Sequence, residues 1–75
     1  MRKTLKKLRL DRGLSVDEIA DEFNISSSYY YKIEAGTRNP TMNLAKRIAD
    51  FFGKEIEELF FSQEMDETSK SNQTA

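Results

Sequence analysis

The sequence predicts an all-α fold, a compact domain of five short helices, and three observations carry that prediction. Apolar residues recur three and four positions apart along the chain, with no sustained alternation of the kind that marks a strand. Residues that cap helix N-termini, Ser15, Ser26 and Thr41, stand before the periodic segments. Gly13, Asn24, Gly36 and Gly53 stand after them, where a residue tolerant of left-handed dihedrals closes a helix.

The first helix is read over roughly Lys3 to Arg12, with Leu5 and Leu8 at helical spacing and Gly13 as its stop. Helix two opens at Ser15, and Glu18 three residues later completes a capping box that satisfies two otherwise orphaned amides. Its buried stripe is Ile19, Ala20 and Phe23. Asn24 then turns the chain tightly into helix three, capped by Ser26 and running to about Ala35, with Tyr30 and Ile33 on the inner side. Residues 36–40 form a loop, because Pro40 disfavours helical dihedrals at Asn39. Helix four follows Thr41 and buries Leu44, Ala45, Ile48, Ala49 and Phe52. A short acidic helix from about Glu55 to Phe61 sets Ile56, Leu59 and Phe60 on one stripe. The domain so defined is residues 1–61, and the polar, aperiodic stretch 62–75 predicts a disordered tail.

Length and composition exclude several classes. A chain of 75 residues supports one small domain that buries about 60% of its unfolded surface. Without Cys or His there is no disulfide framework, no thiolate or imidazole metal site and no Cys/His or Ser/His nucleophile pair, so neither a metal, a cofactor nor an enzymatic activity is expected. The basic start runs into charges instead of an unbroken apolar stretch, which predicts neither a signal peptide nor a membrane span and points to a cytoplasmic protein. Net charge is only −1, but its distribution is dipolar. Arg2, Lys3, Lys6, Lys7, Arg9 and Arg12 against Asp11 give the start a local +5, whereas 55–67 holds six acids and no base. Such a chain can turn a basic face to phosphates and hold its acidic end away. That acidic end also offers a surface to a protein partner.

Between Ser15 and Ile33 the order capped helix, sharp turn, second short helix has the spacing of a helix-turn-helix, a unit that presents its second helix to the DNA major groove. With Tyr30 and Ile33 inward, the exposed residues near the start of helix three are Ser27, Ser28 and Tyr31, with Lys32 one turn on. Lys32 can donate to guanine O6 and N7, the serines can bond either base type or a phosphate, and Tyr31 can bond a phosphate or pack on a thymine methyl. Ser26 is foremost a helix cap, and Tyr29 stands between partial core packing and a phosphate contact. Phe51 and Phe61 fall off the main stripes and, exposed together, would form an apolar patch. A two-fold interface built on Phe51, Phe60 and Phe61 would set two recognition helices about 34 Å apart, one DNA turn. The plainer alternative is that these rings complete a small core.

From about Leu5 to Phe60 the chain resembles the phage repressor and Cro family of helix-turn-helix proteins, with the wider xenobiotic-response-element type regulators. The segments Leu8-Arg9, Gly13-Leu14-Ser15, Glu18-Ile19-Ala20, Lys32-Ile33-Glu34-Ala35-Gly36, Arg38-Asn39-Pro40 and Glu58-Leu59 carry the likeness in order and spacing. The resemblance implies a lambda repressor-like fold that binds double-stranded operator DNA, usually as a homodimer, with helix three in the major groove. It places base contacts on Ser27, Ser28 and Lys32. It implies backbone contacts from the loop residues Arg38 and Asn39, and Thr37 in that loop, Ser26 and Tyr29 are the further candidates for phosphate contacts. It also implies a partly buried ion pair between Arg9 and Glu34. One departure is Val16, where the family commonly has a phosphate-clamping Gln. The implied function is a sequence-specific transcriptional regulator, foremost a repressor. An antitoxin or restriction-control regulator of the same fold, or a protein-interaction module that has lost DNA binding, are the alternatives.

Overall fold

The computed structural model describes residues 1–61, and the tail expected over 62–75 lies outside the described residues. Five helical segments follow in order: α1 (Lys3–Asp11), α2 (Val16–Glu22), α3 (Ser27–Ala35), α4 (Met42–Phe52) and a terminal α5 (Glu57–Phe61). The described residues contain no strand.

The caps act as the sequence predicts. Ser15 Oγ accepts from the Glu18 amide at 3.0 Å while Glu18 Oε1 accepts from the Ser15 amide at 2.8 Å, closing the capping box of α2. Ser26 Oγ accepts from the Tyr29 amide at 3.0 Å and Thr41 Oγ1 from the Leu44 amide at 3.1 Å, so α3 and α4 each begin with an orphan donor satisfied. Asn24, with φ 61°, is the one non-glycine in the left-handed region among the described residues. There it stops α2 and lets the Ile25 amide reach back to the Ala20 carbonyl at 3.0 Å, which makes the turn into α3 tight.

Apolar faces meet in one core of Leu5, Ile19, Ala20, Phe23, Tyr30, Ile33, Leu44, Ala45, Ile48, Ala49, Phe52, Leu59 and Phe60. α4 supplies five of these at i, i+1, i+4, i+5 and i+8, the spacing that puts one face of a helix against its neighbours. α5 differs from expectation in form: it is a single wide turn in the i to i+5 register that begins two residues later than read from the sequence. Glu58 Oε1 accepts from the Glu55 amide at 2.9 Å, so the Glu58 side chain satisfies the amide just ahead of the turn, and Ile56 lies only partly buried there.

The exposed patch expected from Phe51 and Phe61 does not form. Phe51 lies edge-on to Phe23 at 5.4 Å and to Phe52 at 5.0 Å, because it faces the end of α2. The Arg12 guanidinium covers it at 4.6 Å. Phe60 is buried in the core beneath the Arg2 guanidinium at 5.2 Å. Of the three rings assigned to an interface, only Phe61 faces outward, at 51% exposure.

Candidate nucleic-acid interface

α3 is fixed from behind by a buried polar cluster. Arg9 grips Glu34 with two parallel bonds, Nε to Oε2 and Nη2 to Oε1, both 2.9 Å, and its Nη1 donates to the Leu14 carbonyl at 2.8 Å. The Tyr30 hydroxyl donates to Glu34 Oε2 at 2.9 Å. Arg9 and Glu34 are 7% and 2% exposed, so the pair ties α1 to α3 inside the protein. The hydrogen bond to Glu34 raises the Arg9 pKa further above its ordinary value. Burial, then the Glu34 charge and hydrogen bond, push the Tyr30 hydroxyl well above the usual tyrosine range. Both groups therefore keep their protons through the physiological range.

With Tyr30, Ile33 and Glu34 turned inward, a helix winding at about 100° per residue leaves the opposite side to solvent. Ser28, Tyr31 and Lys32 are exposed there. Ser27 and Tyr29 flank that face and are half-buried, Tyr29 packing on the core at its edge. Ser27 Oγ donates to Asp17 Oδ1 on α2. Ser26 uses its oxygen as the cap of α3 and keeps its hydroxyl hydrogen to donate. Ser28, Tyr31 and Lys32 thus make up the outward side of α3, with Ser26, Ser27 and Tyr29 at its edges near the helix start.

The loop after α3 is held against that helix. The Thr37 and Arg38 amides donate to the Lys32 carbonyl at 3.0 and 3.2 Å, and Thr37 Oγ1 donates to the same oxygen at 3.3 Å. Arg38 and Asn39 are exposed. What fixes them is Arg2, in the sequence simply one member of a basic run. One Arg2 guanidinium nitrogen donates to the Ile33 and Arg38 carbonyls, and the other to Asn39 Oδ1 at 2.6 Å. Since a guanidinium can only donate, it fixes the Asn39 amide with its NH2 group turned away, available to an acceptor. No signal in the sequence separates Arg2 from the lysines around it, because its partners lie more than 30 residues away.

The basic start of the chain is accordingly not one phosphate-facing surface. Arg2 and Arg9 are buried, Arg12 stacks on Phe51 and Phe52, and Lys7 pairs with Asp11 at 3.1 Å. Val16 packs on the core edge, where the chain gains apolar contact instead of a polar clamp. α2 exposes four carboxylates, Asp17, Glu18, Asp21 and Glu22, the first three of them beside Ser26 and Ser27 at the start of α3.

Among the described residues no group of acidic side chains is arranged to hold a metal ion, and no helix is long and apolar enough to cross a membrane. The helix-turn-helix family model matches residues 5–59. The chain is 38% identical over 72 residues to YqaF, an uncharacterised helix-turn-helix-type transcriptional regulator of Bacillus subtilis, covering 96% of this chain and 93% of that one. It is 32% identical over 69 residues to RstR, a cryptic phage transcriptional repressor of Vibrio cholerae, covering 89% of this chain and 62% of RstR. An uncharacterised helix-turn-helix-type regulator of Methanocaldococcus jannaschii is 33% identical over 64 residues, 85% of this chain and 97% of its own length. No solved structure matches the chain.

Proposed function

The chain belongs to the helix-turn-helix family of DNA-binding transcriptional regulators, and from that premise we propose that it is a cytoplasmic repressor that binds a palindromic operator as a homodimer, with α3 in the major groove. The observation that carries this reading is the single exposed polar face of α3, backed by the buried Arg9, Glu34 and Tyr30 and continued by the Arg2-anchored loop. On that face Lys32 reads guanine, Ser27 and Ser28 bond base edges, and Tyr31 packs against a thymine methyl or bonds a phosphate. Ser26, Tyr29, Thr37, Arg38 and Asn39 contact phosphates and set the register of the duplex. The named repressor RstR among the relatives supports a repressing role. In the dimer, Phe61, with Met42 across the groove the two residues share, replaces the three-ring interface expected from the sequence. Two copies joined there present half-sites about one DNA turn apart.

Selection from a random duplex library, followed by titration across salt concentrations, tests the proposal. An enriched inverted repeat is the expected result. Lys32→Ala then weakens the cognate site by about 1–3 kcal/mol while sparing nonspecific affinity, and Arg38→Ala weakens all sites alike and flattens the salt dependence. Equal effects of the two substitutions on all DNA would refute Lys32 as a base reader. The four exposed carboxylates of α2 favour one second reading, an interaction module that no longer binds DNA, and its mark is the absence of any salt-dependent binding.

A further inference from the structure

We propose that Asp17 fixes the hydrogen-bonding polarity of Ser27, so that this serine accepts from the exocyclic amine of adenine or cytosine and rejects the keto edge of guanine or thymine. The inference rests on the reading of α3 as the major-groove helix and narrows what it recognises. Ser27 opens α3, and its Oγ donates to Asp17 Oδ1 on α2, across the tight turn. A carboxylate has no hydrogen to give back, so the direction of the bond is settled by chemistry. A hydroxyl has one proton, and once it is committed only lone pairs remain for a base.

Neighbouring serines show the contrast. Ser26 accepts the Tyr29 amide and retains its hydrogen, which suits a phosphate oxygen. Ser27 has given its hydrogen away, which suits a donor. In the major groove the donors are adenine N6 and cytosine N4, whereas guanine O6 and N7 and thymine O4 accept. Asp17 is exposed beside Ser27 in a shallow depression that also holds Glu18, Asp21, Ile25 and Ser26. Its own charge adds to the penalty for a keto oxygen, so the selectivity comes as much from repulsion of the wrong base as from attraction of the right one. A serine otherwise discriminates poorly, since a freely rotating hydroxyl satisfies either edge. Asp17 removes that freedom.

The test is library selection with the full chain, Asp17→Asn and Ser27→Ala, each checked for native helicity. Wild type is expected to enrich adenine or cytosine at one position of each half-site, by about five- to tenfold over guanine or thymine in titration. Ser27→Ala loses the preference at that position and keeps the rest of the repeat. In Asp17→Asn the amide can donate to Ser27 Oγ and release its hydrogen, so the preference there vanishes or turns to guanine or thymine, separately from any uniform gain in affinity. Because every base pair pairs an amino base with a keto base, the contact is identified by deleting the amine alone. Purine in place of that adenine, or 2-pyrimidinone in place of that cytosine, should abolish the preference in wild type and change nothing in Ser27→Ala. An undiminished preference in wild type overturns the proposal. So does an unchanged preference in Asp17→Asn, or an enriched repeat that Ser27→Ala leaves intact at every position. Failure of wild type to enrich any site instead overturns the DNA-binding reading on which the proposal rests.

Discussion

Replacing Arg9 by Ala removes a side chain that makes three hydrogen bonds and leaves Glu34, 2% exposed, with only the Tyr30 hydroxyl as an identified side-chain donor. A buried carboxylate stripped of its cation costs about 3–5 kcal/mol, more than the pair contributed when intact, because the desolvation of the remaining charge is no longer offset. At about 0.05–0.15 kcal/mol per residue, the described domain has only about 3–9 kcal/mol in total. Arg9→Ala therefore consumes a large share of it and lowers the melting temperature by at least about 12 °C, from about 4 °C per kcal/mol. Urea unfolding followed by far-UV circular dichroism measures the loss. The Arg9→Met, Glu34→Leu double variant separates charge stranding from packing. With both charges gone it should be markedly more stable than Arg9→Ala, limited by the Tyr30 hydroxyl and Leu14 carbonyl left behind. A loss below about 1 kcal/mol for Arg9→Ala, the range of solvent-exposed ion pairs, would refute the reasoning. So would costs of Arg9→Met and of Glu34→Leu alone that simply add in the double variant.

Arg2→Ala strands the Arg38 carbonyl, leaves the Ile33 carbonyl with only the Gly36 amide and releases Asn39, so it should cost about 2 kcal/mol, speed amide exchange over residues 37–40 and weaken binding to all DNA alike; Lys at this position, lacking the guanidinium fork, should not restore the loop. Tyr30 holds its proton above the usual tyrosine range while the unfolded chain releases it near pH 10, so its contribution is complete below that pH and is lost as the pH rises further. Urea titrations across the alkaline range should show stability falling above about pH 10, and Tyr30→Phe should lose less over that interval despite being weaker at neutral pH. Asn24→Ala should cost about 1–2 kcal/mol by thermal unfolding, because Cβ crowds the left-handed conformation, whereas Asn24→Gly should stay close to wild type.

Helix starts and stops were readable because capping is a local property. Ser15 with Glu18, Ser26, Thr41, and the left-handed Asn24, Gly36 and Gly53 act within three or four residues of themselves. The inward residues of α2, α3 and α4 were readable for the same reason, since periodicity alone separates the two sides of a helix. The wide turn of α5 was not, as five residues are too few to distinguish one helical register from another.

Charges and aromatic rings off the stripes were decided elsewhere. Arg2 and Arg12 sit in the same basic run as Lys6, yet one is a buried tie across the fold and the other a cover for Phe51, while Lys6 stays in solvent. Phe51 and Phe61 were equally unplaced by periodicity, and only the neighbouring end of α2 decided that the first is packed and the second exposed. The sequence by itself determined the number of helices, the caps of α2, α3 and α4, the tight α2–α3 turn and the outward Ser28, Tyr31 and Lys32 of α3, all set by interactions short in sequence, whereas Ser27, expected among them, is half-buried against Asp17. Only the tertiary structure decided which charges are spent inside, how Arg2 holds the loop and how Asp17 orients Ser27, because those contacts join residues 10 to 37 positions apart, which no local pattern brings together.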